Sequence, residues 1–363
     1  MKPSIGNRFI TLAKSDDRIS AYLDGTFSEI ERALPVDSLH VGSADEKVTF
    51  RIVAMTEVNA PPLWRVLWQG FRPLLLPLTL GPVATVLIFS LASGWSINWW
   101  MALSSVLAVL SWHGAAFLLN DYNDHWAGVD RLTRFGGSQI IQCGWITAAR
   151  AKTWALWFFG LGLLLGLPAL THHTWSMLLI GALAMVLVLS FSYAGKGFKS
   201  LGLGNLLVFL GMGPLLTAGF SLAVSGRVQP AIFIIGSLYG IGASLCIQLR
   251  NMENLMADSQ AKTGTLVSRL GFEKSKLLIG GQFLLLFSLL AVYLVTRVEA
   301  YWQALVFVPL VASLLRIYSR LKAVRSPLSS QLIGIWQEGL AFHLLMGMGL
   351  NLLLFLIWRA QLS

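Results

Sequence analysis

The chain has 363 residues, 55% of them hydrophobic and only 12% charged, with a formal net charge of +10. A soluble domain carries roughly a quarter charged residues, so a surface that is water-facing all round is excluded. A nucleic-acid partner is excluded too, because the cations alternate with apolar segments in a topological pattern rather than forming a patch.

Residues 1–62 read as a cytoplasmic extension distinct from the rest of the chain. Asp16, Asp17, Asp24, Glu29, Glu31, Asp37, Asp45, Glu46 and Glu57 place about half of the chain's 17 acids in it. Ile19, Leu23, Phe27, Ile30 and Leu34 recur every three or four residues, which predicts an amphipathic helix over 19–34. Alternation over 47–55 predicts a strand. No apolar signal segment heads the chain. Pro61 and Pro62 mark the join, and 64–72 reads as an interfacial lead-in to a membrane unit over 63–363.

In that unit long charge-free runs lie at 74–92, 99–119, 155–170, 175–192, 201–224, 231–249, 277–295, 302–315 and 332–358. A membrane helix needs roughly 20 mostly apolar residues, so the fold class is all-α integral membrane with about nine spans. Arg131, Arg134, Arg150 and Lys152 follow the second run, and Lys196 and Lys199 the fourth. Lys262, Arg269, Lys274 and Lys276 follow the sixth, and Arg316, Arg320, Lys322 and Arg325 the eighth. The other loops hold few cations. By the positive-inside rule the N-terminus is cytoplasmic and the C-terminus outside. Clusters on one side only, without an inverted repeat, argue against a transporter. The two cysteines, Cys143 and Cys246, form no disulfide or metal pattern and read as buried thiols.

Two polar clusters close spans on the basic side. Asn120, Asp121 and Asp124 share a helical face through i, i+3 and i+4 spacing if the helix runs on. Their hard oxygens suit magnesium bound together with substrate phosphates, and ionisable groups at membrane depth mark a site. Asn251, Asn254 and Asp258 repeat the spacing after the sixth span, with Glu253 beside them. Two such helix ends could hold magnesium ions around a diphosphate. His113, His125, Trp112, Trp126 and Trp145 lie near this level. Structural histidines and interfacial packing are the expectation for these.

The run Asn120-Asp121-Tyr122-Asn123-Asp124, with Gly128 and Asp130, resembles the first aspartate-rich motif of the UbiA superfamily of membrane prenyltransferases. Gly136-Gly137-Ser138 is similar to a stretch of its 1,4-dihydroxy-2-naphthoate (menaquinone-pathway) branch. Arg72-Pro73, Tyr193, Gly202-Leu203-Gly204, Gly213-Pro214 and the run from Asp258 to Leu270-Gly271 also resemble the family. The likeness covers about residues 64–360. Departures are concentrated in the second motif, where the family's Arg-Asp-x-x-x-Asp stands as Glu253, Asn254 and Asp258. Asn205 replaces an acid, and Lys196 and Lys199 follow Tyr193 at unusual spacing.

The resemblance implies a nine-span bundle around a central cavity in a bacterial inner membrane. It further implies magnesium-dependent transfer of a prenyl group from a polyprenyl diphosphate to an aromatic quinone precursor. Asn120, Asp121 and Asp124 would hold one metal, and Asp258 with Asn254 or Glu253 the second. Asp121, Asp124 and Asp258 are the expected catalytic carboxylates. Arg131, Tyr193, Lys196, Lys199, Asn251 and Glu253 are the expected substrate contacts. Two alternatives stand beside this: a membrane terpene cyclase, using the same ionisation without an acceptor, and a degenerate isoprenoid-binding relative whose extension docks a partner.

Overall fold

The described residues of the computed structural model are 8–26, 28, 30–132, 137–171, 173–191, 197–298 and 300–362. The chain opens with β1 (Arg8–Ala13), α1 (Ile19–Asp24), β2 (Glu31–Leu39) and β3 (Lys47–Ala54). The strands pair antiparallel in the order β1-β3-β2. Val48, Phe50 and Ile52, alternate residues of the central strand, share one face. There they meet Leu12, Tyr22, Leu23 and Ala33 in a small core.

The strand expected over 47–55 is present, but the helix expected over 19–34 stops at Asp24. Gly25 adopts φ 87° and its N–H closes on Tyr22 O, a left-handed helix stop that glycine reaches without penalty. Beyond it, Pro35 would break a helix, whereas β2 is an edge strand and carries the proline beside a register shift.

The membrane unit comes next as α2 (Leu63–Gly70), a 3-10 turn at Pro73–Leu75, α3 (Leu76–Ala92), α4 (Trp99–Ala127) and α5 (Val129–Leu132). It continues through α6 (Ala148–Gly166), α7 (Thr174–Ser190), α8 (Gly204–Met212), α9 (Pro214–Ser225) and α10 (Pro230–Glu253). The chain ends with α11 (Leu255–Gln260), α12 (Leu266–Leu270), α13 (Phe272–Arg297), α14 (Val308–Ala323) and α15 (Ile335–Leu362). Among the described residues eight helical segments are long and apolar enough to cross a membrane, α2–α3 and α8–α9 counting as one each. The remaining predicted span, the fourth at 175–192, is α7, with 17 residues. At 1.5 Å per residue it is about 26 Å long, close to the roughly 30 Å of a hydrocarbon core.

The span α8–α9 is interrupted at Gly213-Pro214. Proline lacks the N–H that would continue α8 and is well placed at the first turn of α9. Gly213 lets this break press against the backbone of Gly236 and Gly240 in α10. Accordingly α10 is the central helix, with 78% of its apolar window buried against 17% for the segment Ala148–Thr171. Trp175, Leu277 and Val295 lie on the outer surface, where only hydrocarbon satisfies side chains of that kind. The protein is an integral, multi-pass membrane protein.

Candidate active site

Both polar clusters lie at one end of the bundle, where α4 and α10 end and α8 and α13 begin. There α4 runs unbroken through Asn120, Asp121 and Asp124 to Ala127, as the spacing anticipated. It stops because Gly128 takes φ 84° and returns its N–H to Asp124 O and His125 O. All three polar side chains are buried, with 8%, 2% and 8% of their surface exposed. They sit on one face but engage different partners.

Asp121 pairs with Arg72 and accepts from the Ser138 hydroxyl. Arg72 precedes Pro73 in a left-handed turn (φ 50°) and lies 4.9 Å from the Phe117 ring centroid. Asp124 accepts from Lys199 Nζ at 2.7 and 3.0 Å and from the Asn120 amide at 2.8 Å. Asp130 is buried on α5, and its Oδ2 has no partner. Burial, reinforced by Asp124 and Asp121, pushes its carboxyl well above the usual range. Gly137 closes this corner at φ 61°. A Cβ there would lie 2.7 Å from Asp130 Oδ2 and 3.0 Å from Asp121 Oδ1, so the two carboxylates face each other across a glycine.

The second cluster joins the first through Lys199. Asp258 is buried on α11 and accepts from the Thr265 hydroxyl at 3.2 Å. Burial raises its carboxyl to about 6, against the opposing pull of Lys199. Burial also works against the Lys199 ammonium, but Asp124 and Asp258 together raise its affinity for the proton. Lys199 thus pairs directly with Asp124, and its charge also acts on the carboxylate of the second motif. A cavity of about 50 Å³ beside Asp124 and Lys199 is bounded by Ala127, Val129, Ala261 and Thr263. Arg269 ties the loops behind it, donating to Gly264 O and Ser200 O at 3.0 Å each.

Other expected residues are placed elsewhere. Arg131 donates to Glu46 of the N-terminal hairpin at 2.9 Å, so it faces the sheet rather than a phosphate position. Glu253 Oε1 accepts from Gly334 N–H at 3.2 Å, which turns one oxygen of this acid toward the loop before α15, while its Oε2 has no partner among the described residues. Asn254 ends α10, and the helix restarts at Leu255, with Asp258 N–H still reaching Asn254 O at 2.9 Å. Asn251 and Asn254 are half-buried beside this break. Tyr193 and Lys196 lie outside the described residues.

The nearby aromatic and histidine residues are structural. His113 bonds Phe71 O and Thr79, and His125 bonds Leu23 O. Trp112 stacks on Phe159, and Trp126 and Trp145 pack into apolar clusters. Cys246 is buried as expected, whereas Cys143 is exposed in the turn after Ile141. Arg72 and Asp130 belong to the cluster although sequence reasoning did not single them out as site residues. The signals were present: an arginine at the membrane boundary directly before proline, and an acid two residues past a helix-stopping glycine.

The profile of the UbiA prenyltransferase family matches residues 79–357. The chain belongs to the UbiA prenyltransferase family. It is 26% identical over 217 residues to the 1,4-dihydroxy-2-naphthoate octaprenyltransferase of Haemophilus influenzae, covering 58% of this chain and 70% of that one. The Escherichia coli enzyme of the same name is 25% identical over 216 residues, covering 56% and 68%. Among solved structures, a UbiA homologue from Archaeoglobus fulgidus bound to GPP and Mg2+ superposes with a TM-score of 0.57 at 17% identity, covering 79% of this chain and 99% of that one. A structure of digeranylgeranylglyceryl phosphate synthase gives 0.57 at 14% identity, covering 82% and 99%. This UbiA-family chain is therefore a membrane prenyltransferase with the family's helical bundle.

The donor set also bears on the family's metal. Among the described residues no three His, Cys, Asp or Glu side chains form a ready-made cage. Magnesium does not need one, since it binds through one or two carboxylates plus substrate phosphates. Asp121, Asp124, Asp130 and Asp258 are hard oxygen donors, and among the described residues the buried Asp130 Oδ2 accepts no hydrogen bond. The residues fit.

Proposed function

We propose that this protein transfers a prenyl group from a polyprenyl diphosphate to an aromatic, quinone-precursor-like acceptor within the membrane, with magnesium as cofactor. The observation that carries the reading is that buried carboxylates of both motifs, Asp124 paired with Lys199 and Asp258 bonded to Thr265, lie at the same end of the bundle within the field of that one cation. A site of alternating buried carboxylates and cations suits a diphosphate bridged by metal. The relatives named for naphthoate prenylation support the acceptor class.

In the reaction the allylic C–O bond breaks, and its electron pair leaves with pyrophosphate. Bound magnesium would neutralise that departing charge. Asp121 and Asp124 would hold the magnesium and diphosphate from the α4 side, and Asp258 from the α11 side. Lys199 and Arg72, which pair with the carboxylates, would turn to phosphate oxygens when a diphosphate binds. An electron-rich ring carbon captures the allylic cation, and the ring regains aromaticity as that carbon releases its proton to water. The site end faces the cytoplasm, with the N-terminus inside and the C-terminus outside, which matches the cation-rich loops.

The test is pyrophosphate release by purified protein in detergent, given polyprenyl diphosphates with and without magnesium. Magnesium-dependent release with prenylated 1,4-dihydroxy-2-naphthoate as product is expected. Release yielding a cyclic hydrocarbon without acceptor would make the protein a terpene cyclase. Binding without release would make it a non-catalytic isoprenoid-binding relative.

A further inference from the structure

The N-terminal hairpin, residues 40–46 between β2 and β3, reaches into the site end of the bundle. His40 (φ 55°) and Gly42 (φ 75°) turn it tightly. Its last residue, Glu46, is buried and accepts from Lys14 Nζ and Gly42 N–H, each at 3.1 Å, and from Arg131 at 2.9 Å. One carboxylate thus closes the hairpin on itself and fastens it to α5, the element that carries Asp130. Val41, at the tip, is 4% exposed and packs with Val129 and Ala261. It lies so close to Gly128 that a Cβ there would meet Val41 Cγ1. Gly42 packs less tightly against the other loop, a Cβ there lying 3.6 Å from Ala261 O.

Val129 adjoins Asp130, and Ala261 lies one turn beyond Asp258. The tip of the extension, Val41 with Gly42, therefore packs against the loops of both motifs. The same Val129 and Ala261 bound the small cavity beside Asp124 and Lys199. We propose that the 40–46 hairpin is a positioning element, in which Val41 sets the gap between the two motif loops and Glu46 locks it through Arg131. The inference rests on the prenyl-transfer reading and adds a role for a segment that lies outside the family match at 79–357.

Loops already held at the right separation lose less freedom when metal and diphosphate arrive, so loosening them weakens binding more than it slows chemistry. Glu46→Gln keeps the size but removes the charge facing Arg131. Val41→Ala withdraws the contact from both loops, and Thr11→Ala, on the exposed pair with Thr49, is the control within the sheet.

The readouts are calorimetric binding of a non-ionisable prenyl thiodiphosphate with magnesium, kcat and KM for pyrophosphate release, and hydrogen exchange over 125–131 and 255–263. Each of the first two variants should bind about tenfold more weakly and show a KM raised to match, with kcat within about threefold of wild type. Exchange should quicken in both loops, and Thr11→Ala should change none of these. Unchanged binding, faster exchange in the hairpin alone, or a fall in kcat at constant KM would overturn the proposal. If the wild type released no pyrophosphate, the transferase reading would fall, while the thiodiphosphate and exchange data would still decide the role of the hairpin.

Discussion

At the scale of residues the site is an arrangement of buried charges that must be matched one to one. Asp124 is the best probe because it is bonded to Lys199 and to Asn120 and touches the cavity between the motifs. Asp124→Asn keeps the volume and removes the charge. Loss of about 4 kcal/mol of charge stabilisation corresponds to roughly a thousandfold lower rate of pyrophosphate release. Full turnover in this variant, with an unchanged melting curve, would remove Asp124 from the site. The i, i+3, i+4 spacing discloses the shared face of Asn120, Asp121 and Asp124, because helical geometry is local. It does not disclose that Asp121 turns to Arg72 and Asp124 to Lys199, since those partners come from loops 49 and 75 residues away. Arg131 misleads for the same reason. A cation in a basic-side loop looks like a phosphate ligand until Glu46, 85 residues distant, is found beside it.

At the scale of elements, α4 carries both the first motif and the dock for the sheet. His125, one residue past Asp124, bonds Leu23 O at 2.7 Å at the end of α1, and Asp24 accepts from Ala149 N–H at the start of α6. His125→Ala leaves a buried carbonyl without its donor, a cost of about 1–3 kcal/mol. The sheet should then be cleaved by protease sooner than the bundle, and fragment mapping by mass spectrometry reads that order. Simultaneous cleavage of both would show that His125 is not a tie between them. Helix existence is legible throughout the membrane unit, because long apolar runs leave the backbone no other way to satisfy its hydrogen bonds in hydrocarbon. The extension is harder to read. Its apolar spacing over 19–34 mimics a helix; Gly25 and Pro35 are local breaks in that pattern, but the pairing of Leu34 with Arg51 of β3 is not local.

For the whole molecule, the charge pattern implies an orientation as well as an embedding. A reporter enzyme that works only outside the cytoplasm, fused after the last residue, should be active, and the same reporter inserted in the cation-rich loop after Lys322 should be silent. The opposite result would invert the topology and place the site on the other face. Within the bundle the apolar area is divided in two directions. The central α10 buries its surface against its neighbours, while the segment Ala148–Thr171 leaves most of its surface to lipid.

Embedding, the number of spans, the family and the first motif are all readable along the chain. Each depends on residues adjacent in sequence or one helical turn apart. Three features needed the folded molecule: the pairing of Asp124 with Lys199, the capture of Arg131 by Glu46, and the seating of the Val41-Gly42 tip against both motif loops. These contacts join segments separated by many residues. Coulombic and packing energies depend on distance through space, which the order of residues does not contain.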